Sequence, residues 1–256
     1  MGSVIRIKTL VELKQLFDEL MERNAIFRGV NNKNQLYPKI IRDNDYSKKE
    51  YQILKTFEKY YGLYSTANNC WEFLALAQHC GLMTRLIDFT SNPYVALFFC
   101  LRNAKGKDGE YIIYALDKTN TNVIYDSIKS EPYFNSKTAT LTLDDMAFQI
   151  DVPYCDILNK EFKKLSKKTG IYTAKPNYRN QRMLVQQGLF VVPTKLTKES
   201  VENRIAEKSQ IIIIDDAIRA EALLYLEKLG YDEFHLMPDL DNICNEINHR
   251  IICGLK

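Results

Sequence analysis

The first residues with a chemical use are the triplet Phe27-Arg28-Gly29, which lies within a short apolar run, AIFRGV, over residues 25–30. An arginine at a strand end can bind a carboxylate or a phosphate with its planar fork of N–H donors. The glycine beside it lets another group approach the backbone closely. The triplet is equally compatible with an arginine that ends a strand and points into water. Other polar residues in the chain are needed to distinguish a ligand-binding arginine from a solvent-exposed one.

A second set of polar residues lies in the stretch WEFLALAQHCGLMTRLIDFTSNPYVALFFC, residues 71–100, which is otherwise rich in core side chains. Buried polar groups cost about 1–3 kcal/mol each unless they are paired. The set therefore indicates a closed hydrogen-bond network or a binding site. Its members are Gln78, His79, Thr84, Arg85, Asp88, Thr90 and Ser91.

Each member also has a purely structural interpretation. His79 is compatible with a helix-end histidine bonded to a carbonyl, and Thr90 and Ser91 are compatible with caps of the helix that begins at Pro93. Arg85 and Asp88, three residues apart on a predicted strand, point to opposite faces, so each needs a different partner.

The elements that must position these residues follow from apolar periodicity. Predicted helices cover residues 9–23, 46–61, 71–80, 92–106, 160–168, 179–186, 217–230 and 240–252, and predicted strands cover residues 25–30, 84–89, 109–116, 188–193 and 210–215. Residues 119–175 show few clear strands. Because no glycine-rich phosphate loop is present, we predict an α+β fold with a mixed central sheet flanked by helices rather than a doubly wound nucleotide fold.

Composition narrows the function classes. The 256 residues include 35 basic and 32 acidic ones, a net charge of +3 that gives no electrostatic footprint for nucleic acid. Six scattered cysteines without a CxxC pair, and three histidines, do not match zinc-ligand spacing, so we predict no metal. We interpret the cysteines as small buried hydrophobes of a reducing compartment. The N-terminal residues do not resemble a signal peptide and no stretch is apolar enough to span a membrane, so we predict a cytoplasmic protein without a membrane partner.

Taken together, AIFRGV, LYPKIIR, LALAQHCGLMTRLIDFTSNPYVALFF and RMLVQQGLF resemble the FRG domain family over roughly residues 26–192. The resemblance implies an FRG domain with an N-terminal helix over residues 1–208. A strand-helix-helix segment follows over residues 209–256, and it either completes the same sheet or forms an appended unit. The positions that match the family include Phe27, Arg28, Gly29, Pro38, Arg42, Gln78, His79, Thr84, Arg85, Asp88, Thr90, Arg182, Gln187, Gly188 and Phe190.

The chain also resembles, more faintly, the mono-ADP-ribosyltransferases with an arginine-serine-glutamate signature. Phe27-Arg28-Gly29 is similar to their first motif, and Thr90-Ser91 followed by Val95-Ala96 is similar to their second. Gln187 stands where their glutamate opens a late strand. This resemblance implies an ADP-ribosyltransferase-like core with NAD as substrate. A glutamine can hold a ribose hydroxyl but brings no negative charge; Asp88, Glu110 or Glu161 is an alternative source of charge.

The two resemblances together imply a set of roles. The residues expected to act in catalysis are Arg28, His79, Asp88, Thr90 and Gln187. The residues expected to bind the nucleotide are Arg28, Gly29, Arg42, Arg85 and Ser91.

Three functions are compatible with these residues. The first is an NAD-using enzyme that transfers ADP-ribose to a protein or nucleic-acid acceptor, or cleaves NAD, as a bacterial toxin or antiphage effector. The second is a non-catalytic module that senses or binds a nucleotide. The third and weaker one is a nuclease that uses His79 and Asp88.

Overall fold

The computed structural model of the chain describes residues 2–31, 33–63, 67–102, 111–117, 119, 121–126, 153–175, 177 and 181–253. Its strands are β1 (Val4–Ile7), β2 (Ile26–Val30), β3 (Ile87–Thr90), β4 (Tyr111–Leu116), β5 (Thr121–Asp126), β6 (Ile171–Lys175), β7 (Gly188–Val192) and β8 (Ser209–Ile214). Its helices are α1 (Leu10–Glu22), α2 (Lys39–Arg42), α3 (Glu50–Tyr61), α4 (Cys70–His79), α5 (Pro93–Leu101), α6 (Tyr154–Leu165), α7 (Gln181–Val185), α8 (Lys198–Ile205), α9 (Arg219–Lys228), α10 (Glu233–Leu236) and α11 (Leu240–Cys253).

The strands form one curled, mixed sheet in the order β1-β8-β4-β2-β3-β7-β6-β5. The β1–β8 and β5–β6 pairs are parallel, and the pairs between them are antiparallel. Helices flank the sheet, so the fold is α+β, as the sequence predicts. Because β8 lies between β1 and β4, the segment from Ser209 onward contributes a strand to the same sheet.

The sheet has a weak junction in its middle. β2 pairs with β4 from Ile26 to Val30, and β3 pairs with β7 from Ile87 to Thr90. Between β2 and β3 the register holds one pair, Phe27 opposite Thr90. Two well-paired halves of four strands therefore meet at one point, and the ladder stops just before Arg28.

The apolar core divides in the same way. On one face, side chains of α1, α5 and α9 pack against the half that contains β4 and β8. On the same face, α3, α4 and α6 pack against β6 and β7 of the other half. The opposite face is covered by α2 and α8. The junction between β2 and β3 therefore lies between two separate helix layers, with α5 on one side and α4 on the other.

Local sequence explains why the helices nearest the junction begin where they do. The Asn92 side chain accepts a hydrogen bond from the Tyr94 N–H, and Pro93 is the first residue of α5. Asn69 caps α4 by accepting from the N–H groups of Trp71 and Glu72. Gly81, with φ of +88°, follows the end of α4.

Some predicted boundaries are wrong, and the reasons are long-range contacts. The strand predicted over residues 84–89 covers Ile87–Thr90, because the Thr84 hydroxyl binds the Gln78 side chain and accepts from the Leu86 N–H. The helix predicted over residues 160–168 is Tyr154–Leu165. It starts earlier because the Glu58 carboxylate, distant in sequence, accepts from its first N–H groups.

The prediction missed β1, β5, β6, α2, α8 and α10. β1 and β5 are the outer strands of the sheet. Outer strands carry polar, exposed side chains and so give a weak periodic signal. The helix predicted to continue to Gly106 ends earlier, at Leu101, because the backbone of Arg102 is extended, with ψ of +147°.

The cysteine interpretation is correct in part. Cys70, Cys100 and Cys155 are buried, whereas Cys80 and Cys244 are exposed, and all five are free thiols. Within the described ranges, no helix is both long and apolar enough to cross a membrane.

Candidate functional site

A cavity of about 580 Å³ lies at the junction of the two half-sheets. Its walls come from β2, β3 and β7, from helices α2, α4, α5 and α7, and from Met237 just after α10. A cavity of this volume is the usual size for a nucleotide-sized ligand. Six residues with predicted roles line it: Arg28, Gly29, Arg42, His79, Asp88 and Thr90.

The three residues of the Phe-Arg-Gly triplet have three different physical tasks. Phe27 is fully buried in the core beneath α5. A Cβ atom on Gly29 would lie 1.8 Å from the Ala96 carbonyl oxygen, so only glycine lets α5 pack this closely on β2. Arg28 points to the opposite face of the strand, and its side chain extends across the junction between β2 and β3.

The Arg28 guanidinium is bound by main-chain carbonyls. Its Nε donates to the Gln35 carbonyl at 3.1 Å, one terminal nitrogen donates to the same oxygen, and the other donates to the Asp88 carbonyl. No described carboxylate forms an ion pair with it. Burial lowers the pKa of Arg28 to about 10, a shift that the Asp88 charge opposes, so the group stays cationic at neutral pH. Arg28 thus ties β2 to β3 and brings a positive charge to the cavity without an ion pair to a described carboxylate.

Asp88 supplies a carboxylate to the same cavity. Its side chain is exposed, and the Gln78 amide Nε2 donates to its two oxygens at 3.2 and 3.3 Å. Gln78 is itself held by the Leu86 carbonyl and by Thr84. This chain of contacts orients Asp88 without neutralising it, since an amide donor leaves the negative charge in place.

Two basic side chains from α2 lie on one wall. Lys39 Nζ donates to the Gly81 carbonyl at 2.6 Å, and Arg42 donates twice to the Tyr37 carbonyl at 3.1 Å. Arg42 is close enough to Arg28 for its charge to contribute to the lowered pKa of Arg28.

Two further arginines and one histidine line the mouth of the cavity. Arg102 forms an ion pair with Glu233 at 3.1 Å. Arg182, on α7, is half-buried and lies near the exposed ring of His79. Partial burial, followed by the positive charge of Arg182, lowers the pKa of His79, and Asp239 opposes the shift. No hydrogen bond joins His79 to Asp88 in the described part of the chain.

The second and third predicted motifs are neighbours in space. Thr90 Oγ1 donates to the Gln186 carbonyl at 2.7 Å, and the Ser91 N–H donates to the Gln187 carbonyl at 3.2 Å. The Ser91 hydroxyl also donates to Gln187 Oε1 at 3.3 Å. However, Gln187 lies before β7, not within it, in the left-handed region with φ of +48°. Ser91 and Gln187 are exposed and do not line the cavity, whereas Gln186 does.

Arg85, predicted to bind the nucleotide, lies elsewhere. It pairs with Glu50, and both side chains are buried. Its guanidinium lies over the Phe162 ring, 3.6 Å from the centroid. As predicted, Arg85 and Asp88 have different partners, but Arg85 does not line the cavity.

The structure does not bring Glu161 to the cavity as an alternative source of negative charge. Glu161 lies on α6, bound to Lys164 at 2.7 Å, and does not line the cavity. Glu110 lies outside the described residues. Asp88 is therefore the carboxylate that the described structure brings to the cavity.

The cavity contains cationic residues to which sequence reasoning assigned no role. Arg182 is one of the positions matched to the family, and Lys39 and Arg102 belong to no motif. Lys39 begins α2 and Arg102 directly follows α5, and core residues lie next to both in sequence, so no local pattern marks them. With Arg28 and Arg42, they give the cavity five permanent cations around one described carboxylate, an arrangement suited to an anionic ligand. The described part of the chain holds no group of three or more potential metal ligands.

Comparison with known proteins gives one finding. A family model, the FRG domain, matches residues 23–109. Neither the curated proteins nor the solved structures provide a match. The matched range contains the triplet and the Gln78–Thr90 contacts, and it ends before Arg182. The chain therefore contains an FRG domain, whose Phe-Arg-Gly triplet lies at the junction of the two half-sheets.

Proposed function

We propose that the cavity binds a phosphate-bearing nucleotide and that NAD is its ligand. The observation that carries this proposal is the charge of the walls: Arg28, Lys39, Arg42, Arg102 and Arg182 surround Asp88 in a cavity of about 580 Å³. Planar guanidinium groups match the geometry of phosphate oxygens. Apolar wall residues, among them Phe89 and Phe99, provide surface for a flat base or for nicotinamide.

The Asp88 carboxylate suits the site to cleavage of NAD. When the bond between nicotinamide and ribose breaks, nicotinamide leaves with the electron pair and positive charge develops on the ribose. A carboxylate at that point stabilises the charge. Water or an acceptor then adds to the ribose carbon and loses a proton. Gln187, by contrast, has neither a negative charge nor a place in the cavity wall, so cleavage would depend on Asp88.

The position of Gln187 also favours the second candidate, a module that binds the nucleotide without turnover. Both candidates bind the nucleotide, and they differ in whether NAD is then cleaved. If NAD is consumed, the chain has an activity suited to a toxin or an antiphage effector, with a protein or nucleic acid as acceptor for transfer.

Titration of the protein with NAD, combined with chromatographic measurement of released nicotinamide, tests both. Binding with release that Asp88→Asn abolishes supports the enzyme. Binding without release supports the module. Failure of the wild type to bind NAD contradicts both candidates. Asp88→Asn is the matched variant because it keeps the shape and removes the charge.

A further inference from the structure

The five cations of the cavity differ in what already binds them. Arg28, Lys39 and Arg42 donate to main-chain carbonyls. Arg102 is paired with Glu233, and the two side chains are only 21% and 22% exposed. A ligand that recruits any of these four must share it with, or take it from, an existing partner.

Arg182 is the exception among the cavity cations in the described part of the chain. It makes no hydrogen bond or ion pair to a described residue, and it is half-buried in the cavity wall. The charges of Asp239 and Glu233 act on Arg182, but neither forms an ion pair with it: Asp239 accepts from Asn242 at 2.6 Å, and Glu233 pairs with Arg102. Its five N–H donors are available for a ligand.

The backbone that carries Arg182 is nevertheless fixed. The Arg182 carbonyl accepts the Gln186 N–H at 3.0 Å, and the Gln186 carbonyl accepts the Thr90 hydroxyl. The Gln186 side chain donates to the Leu236 carbonyl at 2.7 Å. A free side chain on an anchored turn can reach into the cavity without moving the wall, which limits the ordering cost of ligand binding.

We propose that Arg182 is the phosphate-receiving residue of the cavity and that it selects ligands with a pyrophosphate over uncharged nucleosides. This inference rests on the proposed function, because it names the residue that captures the anionic part of the same ligand. A fork of two N–H donors facing two phosphate oxygens is the contact for which an arginine is suited and a lysine is not.

Calorimetric titration with ADP-ribose, which carries the pyrophosphate but no nicotinamide, tests the inference. Arg182→Gln weakens binding about 10- to 100-fold, the loss expected for hydrogen bonds to a charged group. Arg182→Lys, which keeps the charge but not the fork, retains part of the affinity. Arg6→Gln is the matched control, because Arg6 is 54% exposed on β1, away from the cavity.

The ring of His79 provides a second readout that a purely structural role would not move. Arg182 and Asp239 are the charges that act on this ring. By NMR titration, Arg182→Gln raises the pKa of His79 because it removes the positive neighbour. Bound ADP-ribose raises that pKa in the wild type, since the phosphate neutralises Arg182.

The outcomes distinguish the two proposals. If wild type binds ADP-ribose and Arg182→Gln binds it equally well, the role of Arg182 is wrong while nucleotide binding stands. If wild type binds neither ADP-ribose nor NAD, both are wrong. Reduced affinity in Arg182→Gln, with unchanged affinity in Arg6→Gln, supports the inference.

Discussion

The Glu50–Arg85 pair and the cavity differ in how the positive charge of an arginine is balanced. Arg85 is 8% exposed, bonded to a carboxylate and stacked on Phe162. Among the cavity arginines, Arg102 pairs with Glu233, whereas Arg28 is held by carbonyls and Arg182 forms no ion pair with a described residue. A charge neutralised inside the protein braces the fold, whereas a charge left without a counterion is available to an anion. The two regions therefore separate fold-stabilising from ligand-binding arginines.

Three arginines form a graded series within this comparison. Arg85 has an ion pair, Arg28 has carbonyl acceptors, and Arg182 has no described hydrogen-bond partner. The loss of folding stability on substitution should fall along the series. The loss of ligand affinity should be absent for Arg85 and present for the other two.

The largest expected effect is on stability, at the buried pair. Arg85→Ala or Glu50→Ala leaves a buried charge without its partner, which costs about 3–5 kcal/mol of unfolding free energy. Denaturant unfolding measures it. Replacing both residues by leucine should recover much of the loss, because no charge is then left buried. A loss of less than about 1 kcal/mol of unfolding free energy in both single variants would show that the pair does not stabilise the fold.

Arg28→Ala has the next largest effect. It leaves the Gln35 carbonyl and the Asp88 carbonyl without their donor at the junction, which costs about 1–3 kcal/mol. Denaturant unfolding beside the exposed control Arg6→Ala checks the value. If Arg28→Ala were as destabilising as Arg85→Ala, the carbonyl contacts would be as important to the fold as the ion pair. The predicted order of stability losses among the three arginines would then be wrong.

His79 should give a smaller, pH-dependent effect. Because its pKa in the folded protein is below the ordinary value of about 6.5, the unfolded chain binds the proton more readily. The wild type therefore loses stability as the pH falls through about 6.5 towards the lower folded pKa, by a few tenths of a kcal/mol, since the ring is exposed. His79→Gln should show a shallower dependence in unfolding measured from pH 7.5 to 5. An identical pH profile would contradict the effect of burial and Arg182 on this ring.

Arg182→Gln should leave stability unchanged within about 0.5 kcal/mol, as expected for a side chain without a described hydrogen bond or ion pair. Thermal unfolding without ligand measures this. A clear destabilisation would mean that Arg182 supports the cavity wall, and its effect on ligand affinity would then be a structural one.

The sequence predicted the parts of the site that depend on local signals. Three features can each be recognised from a short stretch of sequence: the apolar run around Phe27, the Asn92–Pro93 helix start and the Gln78–Thr90 cluster. They were enough to predict that Arg28, His79, Arg85, Asp88 and Thr90 belong together. The structure places four of these on one cavity, and Arg85 lies elsewhere, paired with Glu50.

The sequence did not predict contacts between distant elements. The partner of Arg85 is 35 residues away, at the start of a helix. Arg102, just after α5, and Arg182, on α7, both line the cavity because the sheet order brings β2, β3 and β7 together, which no local pattern encodes. Gln187 was expected to open a strand in the site, but the left-handed turn at this residue places it outside the cavity wall.

Calorimetry of the wild type with NAD and with adenosine, at low and high salt, tests whether this cavity binds phosphate through arginines that form no ion pair with a described carboxylate. If it does, NAD binds, its affinity falls as salt screens the charges, and adenosine, without phosphate, binds at least about 10-fold more weakly. Equal affinity for the two ligands, or no binding of NAD at low salt, would contradict it.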